Sequence, residues 1–191
     1  MDSQQAKLAV INYLLFDKQF IACFTESFNN SDVLGVNRSF YTTEVEVKTR
    51  REDLLNELYT IEGVVKKDLE MKRKSRQRST KWYKHEEYLS DANAFPAGPL
   101  GTKMFVPNYF YLAFPKELMD HRLHGLDQRY GIMIIENGVV RVEREAMKLN
   151  TFKITPEDGW KLTKKASWEN YYLRKRLREG GVSDEVTIPN S

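Results

Sequence analysis

Ser31-Asp32-Val33-Leu34-Gly35-Val36 and, after a short turn, Phe40-Tyr41-Thr42-Thr43-Glu44-Val45-Glu46-Val47-Lys48 decide how this chain reads. The second run alternates with period two, the mark of a half-buried strand. Tyr41, Thr43, Val45 and Val47 fall on one face, and Thr42, Glu44, Glu46 and Lys48 on the other. Glu46 and Lys48 therefore share a face, about 6.6–6.8 Å apart along the strand. Residues 32–37 form a strand of their own, and Arg38-Ser39 turns the chain between the two. An antiparallel hairpin follows, with a register that the residues alone leave open. Asp32 and Glu46 both lie well back from the turn, so the hairpin can bring them together.

These residue types carry a definite chemistry. Phosphodiester hydrolysis calls for a hard cation that polarises the phosphate and activates water. Mg²⁺ takes oxygen ligands, usually one or two carboxylates, and keeps several waters. Asp32 and Glu46 supply such carboxylates, and the Val47 carbonyl is a third oxygen. Lys48 beside them would hold the attacking water or stabilise developing negative charge. Mg²⁺ is favoured over Mn²⁺ only on ligand hardness. The bland reading stands beside this one: aspartate is a common turn residue, and Thr, Glu, Glu and Lys also suit a solvated sheet face.

Outward from this hairpin, residues 4–15 read as a helix with Leu8, Ile11, Leu14 and Leu15 inward, and 19–26 as a strand. Residues 51–61 form a helix with Leu54, Leu55 and Leu58 inward. Residues 64–89 are helical in part, and the Pro- and Gly-rich 90–107 is a long loop. Residues 109–114 make a buried strand, and Pro115 starts a helix to about residue 124. A strand over 130–136 turns at Asn137-Gly138 into a second over 139–145. A helix spans about 155–178, and 181–191 is a flexible tail. The sum is one mixed α/β domain over 1–180.

The 191 residues carry a net charge of only +3. Residues 66–84 hold nine basic and two acidic side chains, so that segment is +7 and the remainder −4. Lys72, Arg73, Lys74, Arg76, Arg78, Lys81, Lys84 and His85 form the candidate nucleic-acid contacts, and a second basic cluster lies over 161–178. Concentrated positive charge points to a polyanion; a solvated helix face is the alternative. No apolar run is long enough for a membrane helix, and the polar start lacks a secretory pattern. A single cysteine, Cys23, excludes an intrachain disulfide and suggests a reducing, cytoplasmic setting. Glu44 reads as a rim charge. His121 and His124 read as exposed, and Cys23 as a core residue.

Beyond spacing, the chain resembles the PD-(D/E)XK nuclease superfamily, most closely its MmcB-like DNA-repair branch. The resemblance rests on Ser31 to Val36 and Thr43 to Leu54, then on Lys81-Trp82-Tyr83-Lys84-His85-Glu86-Glu87-Tyr88-Leu89. Tyr109 to Pro115 and Tyr130 to Ile135 with Asn137-Gly138-Val139 follow in the same order, so that residues 26–148 are covered. It implies a restriction-endonuclease-like mixed sheet flanked by helices, with Asp32 and Glu46 as metal ligands and Lys48 as the catalytic lysine. It implies Mg²⁺ (or Mn²⁺) as cofactor and DNA, or else RNA, as substrate, with an oligomer open. The setting would be a bacterial cell or, for a phage-encoded relative, its host's cytoplasm. Asp53 and Leu54 would support the site, and Lys81 and Trp82 would contact substrate or pack. Ser31, Asn30, Arg50 and Thr80 depart from the pattern. The basic stretch at about 64–84 and the loop at 90–107 are additions to it. A non-cutting nucleic-acid-binding protein of this fold, and a phage structural protein, are the competing expectations.

Overall fold

The computed structural model describes residues 1–25, 31–68, 79–89 and 106–179. They form two compact units, Met1–Ile154 and Thr155–Ser191. The first unit carries a six-stranded mixed sheet in the order β1-β2-β3-β4-β5-β6, flanked by helices. Among the described residues, no helix is long and apolar enough to cross a membrane.

Helix α1 (Ser3–Asn12) opens on a capping box. Asp2 accepts the Gln5 N–H at 2.7 Å, and the Gln5 side chain accepts the Asp2 N–H at 3.2 Å. Two orphan donors of the first turn are thereby satisfied. The helix loosens into a π turn over Tyr13–Asp17. Its buried stripe is Ala6, Lys7, Ala9, Val10 and Leu14, whereas Leu8 is exposed. The inward face is thus rotated from the leucine stripe that the sequence suggested: the small residues let the helix approach the sheet.

Strands β1 (Ala22–Thr25), β2 (Val33–Val36) and β3 (Thr42–Val47) form an antiparallel meander. Between β2 and β3 the Asn37 side chain accepts the N–H groups of Ser39 at 2.9 Å and Tyr41 at 3.1 Å. That Asx-type bonding fixes the turn and with it the register, which pairs Val33 with Val45 and Val36 with Thr42.

Helices α2 (Arg51–Val65) and α3 (Ser79–Leu89) then lead to β4 (Tyr109–Pro115), which runs parallel to β3. A parallel neighbour requires such a crossover. Strand β5 (Gly131–Glu136) is parallel to β4 and closes a hairpin with β6 (Val139–Arg144). Asn137 (φ 52°) and Gly138 (φ 78°) both lie in the left-handed region that a tight two-residue hairpin needs. Pro115 does not start a helix. It is the last residue of β4, paired with Ile135, and only two 3₁₀ turns follow, Lys116–Leu118 and His121–Gly125.

Each face of the sheet has its own core. On one, Phe110, Leu112, Phe114, Ile132 and Ile134 pack with Leu54, Leu58 and Ile61 of α2 and Tyr88 of α3. On the other, Val33, Val45, Val47, Tyr111, Ala113 and Met133 pack with Ala6, Ala9 and Val10 of α1. Alternation along β3 and β4 produces the division, because successive side chains point to opposite faces. The second unit carries helix α4 (Pro156–Glu179), where Thr155 and Asp158 bond reciprocally at its start.

Lys72, Arg73, Lys74, Arg76 and Arg78 lie outside the described residues, as do Asn30 and most of the 90–107 loop. Residues 181–191 fall outside them as well. Lys81 and Trp82 have helical backbone in α3, but their side chains are outside the described set.

Candidate active site

The register that the sequence left open follows from Val33 facing Val45: one residue further, Asp32 stands opposite Glu46. The Asp32 carboxylate confirms the closeness, because its Oδ2 accepts the Val47 N–H at 2.8 Å. Within an extended residue the N–H and C=O point to the same side, so the Val47 carbonyl faces the Asp32 strand too. Asp32 and Glu46 are thus neighbours across β2 and β3, and the Val47 backbone faces the Asp32 strand.

The polar face of β3 is not a solvated one. Glu44, Glu46 and Lys48 are all buried, beside Phe110 and Leu112 and beneath α2 and α3. Burying charges is costly unless each is paired, and here each is. Lys48 Nζ donates to Glu46 Oε1 at 2.5 Å and lies 3.4 Å from Glu57 Oε2. Lys84 Nζ donates to Glu46 Oε2 at 3.1 Å and also ion-pairs with Glu44. Tyr88 donates its hydroxyl proton to Glu44 Oε2 at 2.7 Å. Glu57 Oε1 bonds to His85 Nε2 at 2.7 Å, and His85 Nδ1 reaches the Tyr130 hydroxyl at 3.0 Å. From the other side of the sheet, Lys7 of α1 pairs with Asp32 Oδ1 at 2.9 Å. The Asp32 side chain keeps 20% of its surface, against 8% for Glu46 and 1% for Glu57. Asp32 is therefore the accessible end of the network.

Burial and pairing shift the ionisable groups in different directions. Burial opposes the charge on Glu46, but Lys84 and Lys48 outweigh both that and the nearby Glu57, and hold its carboxyl below the usual range. Burial likewise opposes the Lys48 ammonium. Glu57 and Glu46 overcome it, with Asp32 adding to them, and push its pKa up. Lys84 is raised in the same way by Glu44 and Glu46. Both lysines are thus cations at neutral pH, donors and charge stabilisers rather than bases. Glu44 goes the other way, its pKa raised because complete burial dominates over Lys84 and Tyr88.

Three expectations change. Glu44 is not a rim charge; it is fully buried. Lys84 and His85 are not on a phosphate-facing surface, because α3 turns both inward onto β3 and α2. Tyr88, from the same segment of the chain, lies in the core. His121 and His124 are exposed, as the sequence suggested. Cys23 is half-buried, with its thiol pushed up to about 12 by burial, which makes it a poor nucleophile.

Sequence reasoning missed Lys7 and Glu57, and it misplaced Lys84. The signal was there for Glu57, which sits on the stripe Leu54, Leu58, Ile61 at helical spacing. A charge at an inward position of an amphipathic helix has to find a buried partner.

Asp32, Glu46 and the Val47 carbonyl offer only oxygens, the donor type a hard divalent ion takes, and such an ion would compete with the two lysines that hold Glu46. Among the described residues, no group of three or more His, Cys, Asp or Glu side chains is arranged as a metal site. A two-carboxylate site completed by a carbonyl and waters needs no such group.

No family model matches the chain, and no curated protein matches it. A solved structure does. It is a protein of unknown function from Silicibacter pomeroyi, 16% identical, with a TM-score of 0.53, covering 97% of this chain and 98% of its own. The likeness is one of fold over nearly the whole of both chains.

Proposed function

We propose that this protein is a divalent-metal-dependent nuclease that hydrolyses phosphodiester bonds in DNA. The observation that carries the reading is the placement of Asp32 opposite Glu46, with the Lys48 ammonium on Glu46. Asp32, Glu46 and the Val47 carbonyl would hold Mg²⁺ or Mn²⁺, which would polarise the phosphate and lower the pKa of a bound water. Lys48, its ammonium held by Glu46 and Glu57, would donate hydrogen bonds to the attacking water or to the non-bridging oxygens as negative charge builds on them. Glu57 fixes the ammonium from behind, and His85 and Tyr130 fix Glu57. That chain of bonds preorganises Lys48 without touching substrate.

The resemblance of residues 26–148 to the PD-(D/E)XK superfamily supports the same reading, and its MmcB-like branch suggests repair, recombination or phage DNA processing. The +7 charge of residues 66–84 supports a polyanionic substrate, RNA being the competitor to DNA. The setting we propose is the cytoplasm of a bacterial cell or of a phage host, on the single cysteine.

Wild type, Asp32→Asn and Lys48→Met would be incubated with single-stranded, duplex and branched DNA and with RNA, in Mg²⁺, Mn²⁺ or EDTA. Cleavage by wild type alone, abolished by EDTA, is the expected result. Equal cleavage by a clean Lys48→Met preparation would overturn the assignment. A second reading, binding without cutting, is favoured by one observation: each oxygen of Asp32 and Glu46 already has a protein partner. Salt-dependent binding without product in any metal would establish it.

A further inference from the structure

Glu46 carries two ammonium groups where one lysine suffices for the chemistry proposed above. Lys48 is anchored between Glu46 and Glu57. Lys84 comes from a different element, α3, and its ammonium lies between Glu46, at 3.1 Å, and Glu44. It is buried, and it rests near the Tyr88 and Phe110 rings, 5.9 and 5.6 Å from their centroids. No water-facing route is needed to satisfy it. Glu44 is one strand step further from Asp32 than Glu46, on the same face of β3. It therefore offers Lys84 a second carboxyl partner outside the proposed metal site.

We propose that Lys84 is a positioning residue that acts as an internal counter-ion, holding Glu46 when no metal is bound and passing fully to Glu44 when a divalent ion takes Glu46. The inference rests on the metal-dependent reading above. A metal and an ammonium compete for the same carboxylate oxygen, so each weakens the other's hold by the same factor. Glu44 lowers the cost of the exchange, because Lys84 keeps one carboxylate when it gives up the other. The arrangement fixes opposite effects for two adjacent residues. Removing the Lys84 charge frees Glu46 and tightens metal binding. Neutralising Glu44 leaves Lys84 with Glu46 alone and weakens it. A merely structural role would weaken binding in both variants, in step with lost stability.

The test is calorimetric titration of the full-length protein with Mn²⁺, comparing wild type with Lys84→Met and Glu44→Gln, and with thermal melts of all three. Met keeps the length of the lysine stem, and Gln keeps an acceptor for the Tyr88 hydroxyl. We expect Lys84→Met to bind Mn²⁺ about tenfold more tightly, and Glu44→Gln about tenfold more weakly, within the span usual for coupled sites. Should Lys84→Met fail to fold, the weakening in the isosteric Glu44→Gln carries the test by itself. Unchanged affinity in a folded Glu44→Gln, or shifts of the same sign in both variants, would overturn the Lys84 role and leave the metal site standing. Absence of Mn²⁺ binding in all three would overturn both together.

Discussion

The two faces of strand β3 bury the same length of chain in opposite ways. Thr43, Val45 and Val47 face α1, and the two valines join an apolar cluster of Ala6, Ala9, Val10 and Val33. Glu44, Glu46 and Lys48 face α2 and α3, where Glu57, Lys84 and His85 meet them in a continuous chain of ion pairs and hydrogen bonds. The apolar face stabilises by removing carbon from water, at roughly 25 cal/mol per Å². The charged face cannot be explained that way, because desolvating several ions offsets most of what their pairing returns. A fold seeking only stability would fill that face with leucine. The difference teaches that the apolar face stabilises by burial, whereas the charged face holds an ion network that burial alone would not favour.

The largest effect expected is from breaking the charged face on one side only. Lys48→Ala leaves Glu46 and Glu57 buried without their shared cation and should cost about 3–5 kcal/mol of stability, measured by urea unfolding, and on the proposed nuclease reading it should also abolish cleavage. Removing charge from both sides should cost far less. The double variant Glu44→Gln/Lys84→Met is expected within about 1 kcal/mol of wild type, since replacing a buried pair as a unit is often close to neutral. If it proved as damaging as Lys48→Ala, the contrast between the faces would fail.

On the apolar face, Val45→Ala should cost about 2 kcal/mol through lost burial and the cavity left behind. Cleavage by the folded fraction should stay near wild type. A hundredfold loss of activity there would show that the two faces are not separable.

The charged face should contribute to the pH dependence on both sides of neutrality. Lys48 and Lys84 have pKa values raised from 10.5 in the fold. The stability they contribute is fully present below 10.5 and is lost as pH rises through their folded values. Glu46 is depressed from 4.5, so its contribution is present above 4.5 and is lost as pH falls through the lower folded value. Glu44, raised by burial, opposes Glu46 in sign. Thermal midpoints should therefore fall on the alkaline side above about 10.5, and the fall should shrink in Glu44→Gln/Lys84→Met. The smallest effect belongs to the exposed Lys66–Glu62 pair: Lys66→Ala should leave the thermal midpoint essentially unchanged.

Much of this contrast was legible in the chain. The period-two alternation of residues 40–48 separated the two faces, and Asn137-Gly138 marked its hairpin. The strand-turn-strand pattern put Asp32 near Glu46, although only the Asn37 turn fixes the register that sets them opposite each other. What stayed hidden has one physical cause. Lys7, Glu57 and Lys84 are charged, and a charge is read as exposed until its partner is known. Those partners lie 25, 9 and 38 residues away, for Lys7–Asp32, Glu57–Lys48 and Lys84–Glu46, and no local pattern links them. Pro115 misled for a related reason: proline suits a helix start, but it also suits a strand end, where its missing N–H costs no ladder bond.

The most direct test of the central claim, that the charged face is built to hold a divalent ion, is anomalous X-ray diffraction from crystals soaked in Mn²⁺. The account predicts a single manganese peak at coordination distance from the Asp32 carboxylate, the Glu46 carboxylate and the Val47 carbonyl, with Lys84 moved onto Glu44. A well-diffracting soaked crystal with no peak there, and with Lys84 still on Glu46, would contradict it.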